Sequence, residues 1–310
     1  MLETIRFGGY QSAASVHSRA IAVFARALER RLDGEIAIEI TLNVADQGRK
    51  AADLLSLVER GEIDLCYFSS SYLAGRVPEL EIVDIPFEIG SREQAHAAWD
   101  GALGEWLKAA VAAATGYRAL AFWDNGIRHI SNRARPILSP GDCRGLRIRT
   151  QDNALHQEAF RALGFEPVAI DPSELPGAVR DGRVDAQENP LTNLVNFGMH
   201  EHHPHVSLSA HLFGVAPVLA NRARYEAWPE VVRKGVDTAL AEATQAQRSF
   251  ASEDDRLCLA KLEKAGNQVL ELSEDARRAF AAAIAPVAEA ARRRLGPDLI
   301  DLLRAAPRGG

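Results

Sequence analysis

Arg149 ends the run Arg147-Ile-Arg149-Thr150, which follows the turn-forming stretch Pro140-Gly-Asp-Cys-Arg-Gly145. A planar guanidinium at the carboxyl end of a strand, aimed into a crevice, can grip a carboxylate through two parallel N–H···O bonds. Each charge-assisted bond contributes about 1.5–3 kcal/mol where water is excluded. Arg147, two positions away, shares its side of a regular strand, and the same pattern also fits a surface arginine on a sheet edge. Arg128 sits in Asn125-Gly-Ile-Arg128-His129, just after an apolar run and where the folding pattern restarts, a hinge position suited to an anion contact. Asn189 precedes Pro190, which pushes it toward an extended backbone. Its amide both donates and accepts, as a hydroxyl or carboxylate oxygen requires. Glu188 reads as a partner that holds an arginine rather than as a catalytic acid. Ser69, Ser70 and Ser71 follow a strand and offer hydroxyls to an anion or a sugar, with no His and Asp identifiable as partners for a nucleophile.

Other chemistries find little support. His200-Glu-His202-His203-Pro-His205 matches no zinc spacing, and Pro204 interrupts any helix that would align the imidazoles, so a polar loop is expected. Dinucleotide, Walker and nucleophile-elbow glycine motifs are missing, and no cofactor is expected. The three cysteines, Cys66, Cys143 and Cys258, form no disulfide framework. A net charge of −6 disfavours a nucleic-acid partner, which would need a basic face. No apolar run reaches the ~20 residues of a membrane span. The amino terminus lacks the charged and apolar regions of an export signal, which taken alone favours the cytoplasm.

The positions of these groups follow from a repeat. Leu54-Leu-Ser-Leu-Val-Glu-Arg-Gly61-Glu-Ile-Asp64 and Leu175-Pro-Gly-Ala-Val-Arg-Asp-Gly182-Arg-Val-Asp185 share glycine and aspartate at one offset of 121 positions. Each reads as a short helix stopped by glycine, followed by Asp at the start of a buried strand. That suggests two similarly built α/β lobes, between which ligands commonly bind. With 310 residues the chain is long enough for two cores.

Periodicity predicts a strand over Thr4–Gly8 and a polar turn at Gly9–Ala13. A helix from Ser15 to Leu32 follows, buried at Ile21, Phe24 and Leu28 and stopped at Asp33-Gly34. Further strands are expected at 36–40, 64–67, 118–123, 146–150 and 166–170, and helices at 50–60, 92–99, 104–114 and 153–163. Pro78–Phe87 reads as extended, Asn125-Gly126 as a strand breaker, and Ser173 as a helix N-cap with Pro176 in the first turn. Pro229–Lys264 reads as one long helix, which would brace two lobes or join a dimer. A last helix, Ser273–Leu295, should be interrupted or kinked at Pro286.

Taken in order, Gly61-x-Ile-Asp64, Val77-Pro-Glu-Leu80-x-x-x-Asp84-Ile-Pro86-Phe87, Gly126-x-Arg128, Gly145-Leu-Arg-Ile-Arg149 and Gly182-x-Val-Asp185-x-Gln-Glu188-Asn189-Pro190 carry a resemblance. The chain resembles DctP-type substrate-binding proteins of tripartite ATP-independent periplasmic (TRAP) transporters, from about Ile5 to the final helices. The resemblance implies a two-lobed α/β fold of the periplasmic-binding-protein kind with a long bracing C-terminal helix. It implies a receptor, not an enzyme, that closes on an organic acid in the periplasm and delivers it to a membrane permease. It assigns the carboxylate salt bridge to Arg149 and further contacts to Arg128, Asn189, Gln11, Ser12, Ser69 and Ser70, with Glu188 and His17 beside them. The chain departs from the family pattern at Asp171-Pro172, where some relatives place an aromatic, and at Pro176-Gly177, where a tyrosine is common.

The expected organisation is a first lobe over residues 1–124 with the C-terminal helices returning to it. A second lobe over 125–228 and a helical segment over 229–310 packed across both complete it. A polar cleft offering Gln11, Ser12, Ser69, Ser70, Gln187 and Asn189 suits a hydroxylated ligand, so the expected ligand is a sugar acid such as a hexuronate or aldonate, with a C4-dicarboxylate second. A monomer is expected. The competing readings are a metal-assisted enzyme on the same frame, using the histidine run, and the effector domain of a regulator.

Overall fold

The computed structural model describes residues 3–32 and 36–307. The expected helix stop at Asp33-Gly34 lies outside them. In chain order the elements are β1 (Glu3–Gly8), α1 (Val16–Leu32), β2 (Ile36–Thr41), α2 (Asp53–Glu59), β3 (Leu65–Tyr67), α3 (Arg92–Asp100), α4 (Ala102–Ala114) and β4 (Tyr117–Asn132). There follow β5 (Arg147–Thr150), α5 (Ala154–Ala162), β6 (Glu166–Ala169), α6 (Leu175–Arg180), β7 (Ala186–Pro190), α7 (Leu191–Asn196) and β8 (His205–Asn221). The chain ends with α8 (Arg222–Ala227), α9 (Glu230–Lys264), β9 (Gln268–Glu271), α10 (Glu274–Leu295) and α11 (Pro297–Ala305).

Among the described residues the strands form one sheet, ordered β2-β1-β3-β8-β4-β7-β5-β6, with β9 pairing β8. The central β4 and β8 are long antiparallel strands shared by two halves. The parallel β2-β1-β3 set lies on one side of them and the parallel β5-β6 and β5-β7 pairs on the other. A large apolar core packs under the first half, and two smaller clusters underlie the second. The fold is a two-lobed α/β architecture.

The repeat legible in the sequence is a repeat of contacts. Gly61 and Gly182 adopt left-handed φ of 74° and 70° at the ends of α2 and α6. Asp64 accepts the backbone N–H of Arg6 on β1 at 2.8 Å, and Asp185 accepts that of Arg147 on β5 at 3.0 Å. By this correspondence, Arg149 occupies in the second lobe the position that Gly8 occupies in the first. A Cβ at Gly8 would lie 2.7 Å from Leu54 and 2.8 Å from Ile63, so the first lobe has no room for a side chain there.

Four local expectations are corrected. Asn125-Gly126 does not break the strand: β4 runs on to Asn132, with a register shift between Asp124 and Ile127. Gly126 takes φ +81°, and a Cβ there would sit 2.5 Å from Pro190, so the bulge brings the two strands together. Pro78–Asp84 is a 3₁₀ helix, not an extended run. Pro78 lacks only an N–H that a helix start leaves unpaired, and the three-residue period buries Leu80 and Val83 on one face. Ser173 does not cap α6; its hydroxyl donates to Asp171 instead. Finally, Pro286 does not interrupt α10, which is continuous from Glu274 to Leu295 and buries Phe280, Ile284 and Ala288.

The 35-residue α9 extends roughly 52 Å at 1.5 Å per residue. It packs against α1, β4 and α7 of its own chain. Asp254 accepts from Arg19 of α1 and from Thr192 of α7, so one carboxylate bridges the two halves. At the centre, Gln247 accepts the Asp124 N–H at 2.8 Å and donates to the Asp124 carbonyl at 2.6 Å.

Candidate functional site

Strand β5 lies between β7 and β6, and its carboxyl end meets Tyr72 and Ser69 of the opposite half, a junction that gathers the polar side chains. Arg149 is 2 % exposed. Its Nε donates to the Ile170 carbonyl at 2.9 Å and its Nη2 to the Tyr72 hydroxyl at 3.0 Å, a contact from the opposite half. No carboxylate lies within ion-pair distance of Arg149 among the described residues. Arg147 has a different place: it is partly exposed and grips Asp185 through Nε and Nη2 at 2.9 and 2.8 Å.

Arg128 is equally buried but compensated. Glu188 receives Nε at 2.5 Å and Nη2 at 2.7 Å, a forked pair, and the Glu188 carbonyl takes a further bond at 2.8 Å. Burial alone would raise the Glu188 carboxyl, yet the Arg128 charge and its hydrogen bonds hold it far below the usual carboxylate range. His211 stands 3.5 Å from the same carboxylate. Glu188 therefore acts as the arginine's holder, as its sequence context indicated.

A directional chain of amides runs from this pair. Arg128 Nη2 donates to Asn189 Oδ1 at 3.3 Å, and because an arginine only donates, this fixes which end of the Asn189 amide is oxygen. Asn189 Nδ2 then donates to Gln187 Oε1, and Gln187 Nε2 to Ser131. In the other direction Asn193 donates to Asn189, and Gln11 of the opposite half donates to Asn193 at 3.2 Å. His17 Nδ1 lies 3.2 Å from Gln11 Oε1, which makes Nδ1 the protonated nitrogen. The His17 ring stacks on Tyr67 with centroids 4.5 Å apart.

Ser69 accepts from Gln151 at 2.8 Å, another contact between the halves, and Ser70 is fully buried with its hydroxyl unpartnered. Ser12 stands apart from this buried cluster: it is exposed, and its backbone carbonyl accepts the N–H of the buried Ser15 at the turn into α1. Sequence reasoning missed Tyr10, Tyr72, Gln151 and Asn193. Tyr10 is buried and Tyr72 half-buried beside the guanidiniums; desolvation pushes both hydroxyls up, and Arg149 and Arg128 draw them part of the way back. Tyr10, Phe68 and Tyr72 form an aromatic row with successive centroids 4.9 Å apart.

The histidines of the 200–205 run do not converge. His203 turns inward to Ser131 at 3.0 Å while His205 faces Gln268 at 2.9 Å. Among the described residues no group of three or more metal-ligating side chains comes together, and no helix is long and apolar enough to cross a membrane.

Two buried guanidiniums where two α/β halves meet suit a receptor for an anionic solute, and the sequence matches the DctP family, "Bacterial extracellular solute-binding protein, family 7", over residues 7–294. The chain belongs to this family. It is a TRAP-type solute-binding protein, a transport component rather than an enzyme. A "Solute-binding protein" of Verminephrobacter eiseniae is 31% identical over 93% of this chain and 84% of its own length. The sugar acid binding protein DctPAm of Advenella mimigardefordensis, solved with galactonate, superposes with a TM-score of 0.93 at 26% identity, covering 98% of this chain and 97% of that one. A TRAP periplasmic solute binding protein from Sulfurospirillum deleyianum, solved with succinate, superposes with a TM-score of 0.93 at 26% identity over 99% of each chain. The family thus binds small carboxylates, sugar acids among them.

Proposed function

We propose that this DctP-family protein captures a singly charged sugar acid, a hexuronate or an aldonate, between its lobes in the periplasm and hands it to TRAP permease subunits. One observation carries the choice of ligand: two guanidiniums are buried at the site, and only one has a carboxylate partner. Glu188 neutralises Arg128, whereas Arg149 is buried with no carboxylate at ion-pair distance among the described residues. An uncompensated buried charge is costly, and one ligand carboxylate removes that cost. A second carboxylate, as in succinate, would meet Arg128 already paired with Glu188.

In this reading Arg149 takes the carboxylate through its remaining N–H groups. Arg128 and Asn189 each offer a further N–H, and the Ser70 hydroxyl is available to a ligand hydroxyl. Gln11, Ser69, Glu188 and His17 hold the site in shape. The first lobe is built on residues 1–124, joined by the end of β8 and by α8, whose Val218, Leu219, Tyr225 and Trp228 pack in its core; the rest of 125–228 forms the second, and the helices from 230 onward pack across them. The packing of α9 against α1 and α7 of one chain supports a monomer.

A thermal-shift screen tests the ligand class, since a ligand at a hundred times its Kd stabilises by about 2.7 kcal/mol. D-Glucuronate and D-galactonate should raise the melting midpoint and succinate should raise it less. A shift with succinate alone, matching the succinate-bound relative, would establish the dicarboxylate reading instead.

A further inference from the structure

The turn after β6 touches both the arginine seat and the opposite lobe. The Ile170 carbonyl accepts Arg149 Nε. On the next residue, the Asp171 carboxylate accepts the backbone N–H groups of Ala51 and Ala52, both at 3.1 Å, in the turn that leads into α2. β6 is the far edge strand of the sheet and α2 belongs to the other half, so these two bonds cross the mouth between the lobes. The same carboxylate is held in place from its own side by the Ser173 N–H at 2.9 Å and the Ser173 hydroxyl. Lys50 and Glu174 add an exposed ion pair across the same mouth at 3.7 Å.

The asymmetry of these contacts matters. With the lobes apart, Asp171 keeps its local turn with Ser173, and the Ala51 and Ala52 N–H groups are free to bond water. With the lobes together, Ala51 is buried, and its N–H then depends on Asp171. A buried donor left without an acceptor bears the full desolvation penalty. Removing the carboxylate therefore weakens the closed arrangement and leaves each lobe intact.

We infer that Asp171 is a closure latch and a positioning residue: by docking on Ala51 and Ala52 it clamps the 170–173 turn and so fixes the carbonyl that orients Arg149. The inference rests on the proposed capture between two closing lobes. It makes ligand retention, rather than ligand entry, the quantity that Asp171 controls.

Trapping of closed molecules tests it without a known ligand. Lys50→Cys and Glu174→Cys placed in one chain react with a short bis-maleimide only while the mouth is shut. The native Cys66, Cys143 and Cys258 are buried and serve as the unreactive background, checked with single-cysteine controls. Added to this pair, Asp171→Ala should slow cross-linking about tenfold with the melting midpoint unchanged. Asp171→Asn, which keeps an acceptor for the Ser173 turn, should slow it about threefold. Equal cross-linking rates with and without Asp171→Asn and Asp171→Ala would overturn the latch. D-Glucuronate and D-galactonate form a second arm and should accelerate trapping in the parent pair. If neither does, the sugar-acid reading fails, while the ligand-free ratio still decides the latch.

Discussion

Arg149 and Arg128 are two guanidiniums with the same burial and opposite electrostatic situations, and they should answer mutation in opposite ways. Arg149→Met removes a buried charge that has no carboxylate partner, so the ligand-free protein should melt at the same temperature or higher. A fall of several degrees in calorimetry would mean that the guanidinium is compensated after all. Glu188→Leu strands Arg128 without its carboxylate, and should cost about 3–5 kcal/mol in chemical denaturation. A cost below about 1 kcal/mol would show that water or another group reaches Arg128. Asn189 differs again, because its amide orientation is dictated by Arg128 on one side and Asn193 on the other. Arg149, Glu188 and Asn189 stood out in the sequence because they lie in short strands that run into polar turns; Arg128 stood out as a hinge residue, although it lies inside β4. Tyr72, Gln151 and Asn193 did not, since their roles come from contacts with the other half, which no local pattern encodes. Ser12 differs from them in being exposed, while Ser15, three residues on, is the serine that the turn buries.

At the scale of elements, the strands and helices with a clear period came out where periodicity placed them, including α9 and both copies of the Gly-x-x-Asp turn. The exceptions share a cause. β8 carries no alternation to read, because most of its seventeen residues are buried on both faces. β4 passes a glycine that usually ends a strand, since the bulge at Gly126 packs on Pro190. Pro78–Asp84 looked extended because prolines bracket it, and tertiary burial of Leu80 and Val83 prevailed. The element on which the frame most depends is α9, which grips the bend in β4 through Gln247 and Asp124. Gln247→Leu leaves a buried N–H and a buried carbonyl of Asp124 without partners, so a loss of about 1–3 kcal/mol in urea denaturation is expected. An unchanged midpoint would show that α9 does not brace the centre of the molecule.

Viewed whole, the molecule places several neutral imidazoles inside its two lobes. Burial pushes His17 down to about 4 and His203 down to about 3, against an ordinary 6.5. The folded form therefore refuses protons that the unfolded chain takes up below pH 6.5. Stability is complete above that pH and is lost as pH falls toward the depressed values, by about 2 kcal/mol from each group by pH 5. Carboxylates held low, such as Glu188, add their loss only below about pH 4.5, so the window from pH 6.5 to 5 isolates the histidines. Denaturation curves across that window should show the decline, and a flat profile would mean that the imidazoles are solvated. Binding as proposed belongs to the same scale, because it would draw on both halves at once: Arg149 from one, Tyr72 and the Ala51–Ala52 turn from the other. The measurement that bears most directly on this is a calorimetric titration of D-glucuronate and D-galactonate into the wild-type protein and Arg149→Met. The wild type should bind at least one of them with one-to-one stoichiometry, and the variant should lose at least a hundredfold in affinity while still folded. Equal affinity in the two proteins would contradict capture of the acid by Arg149.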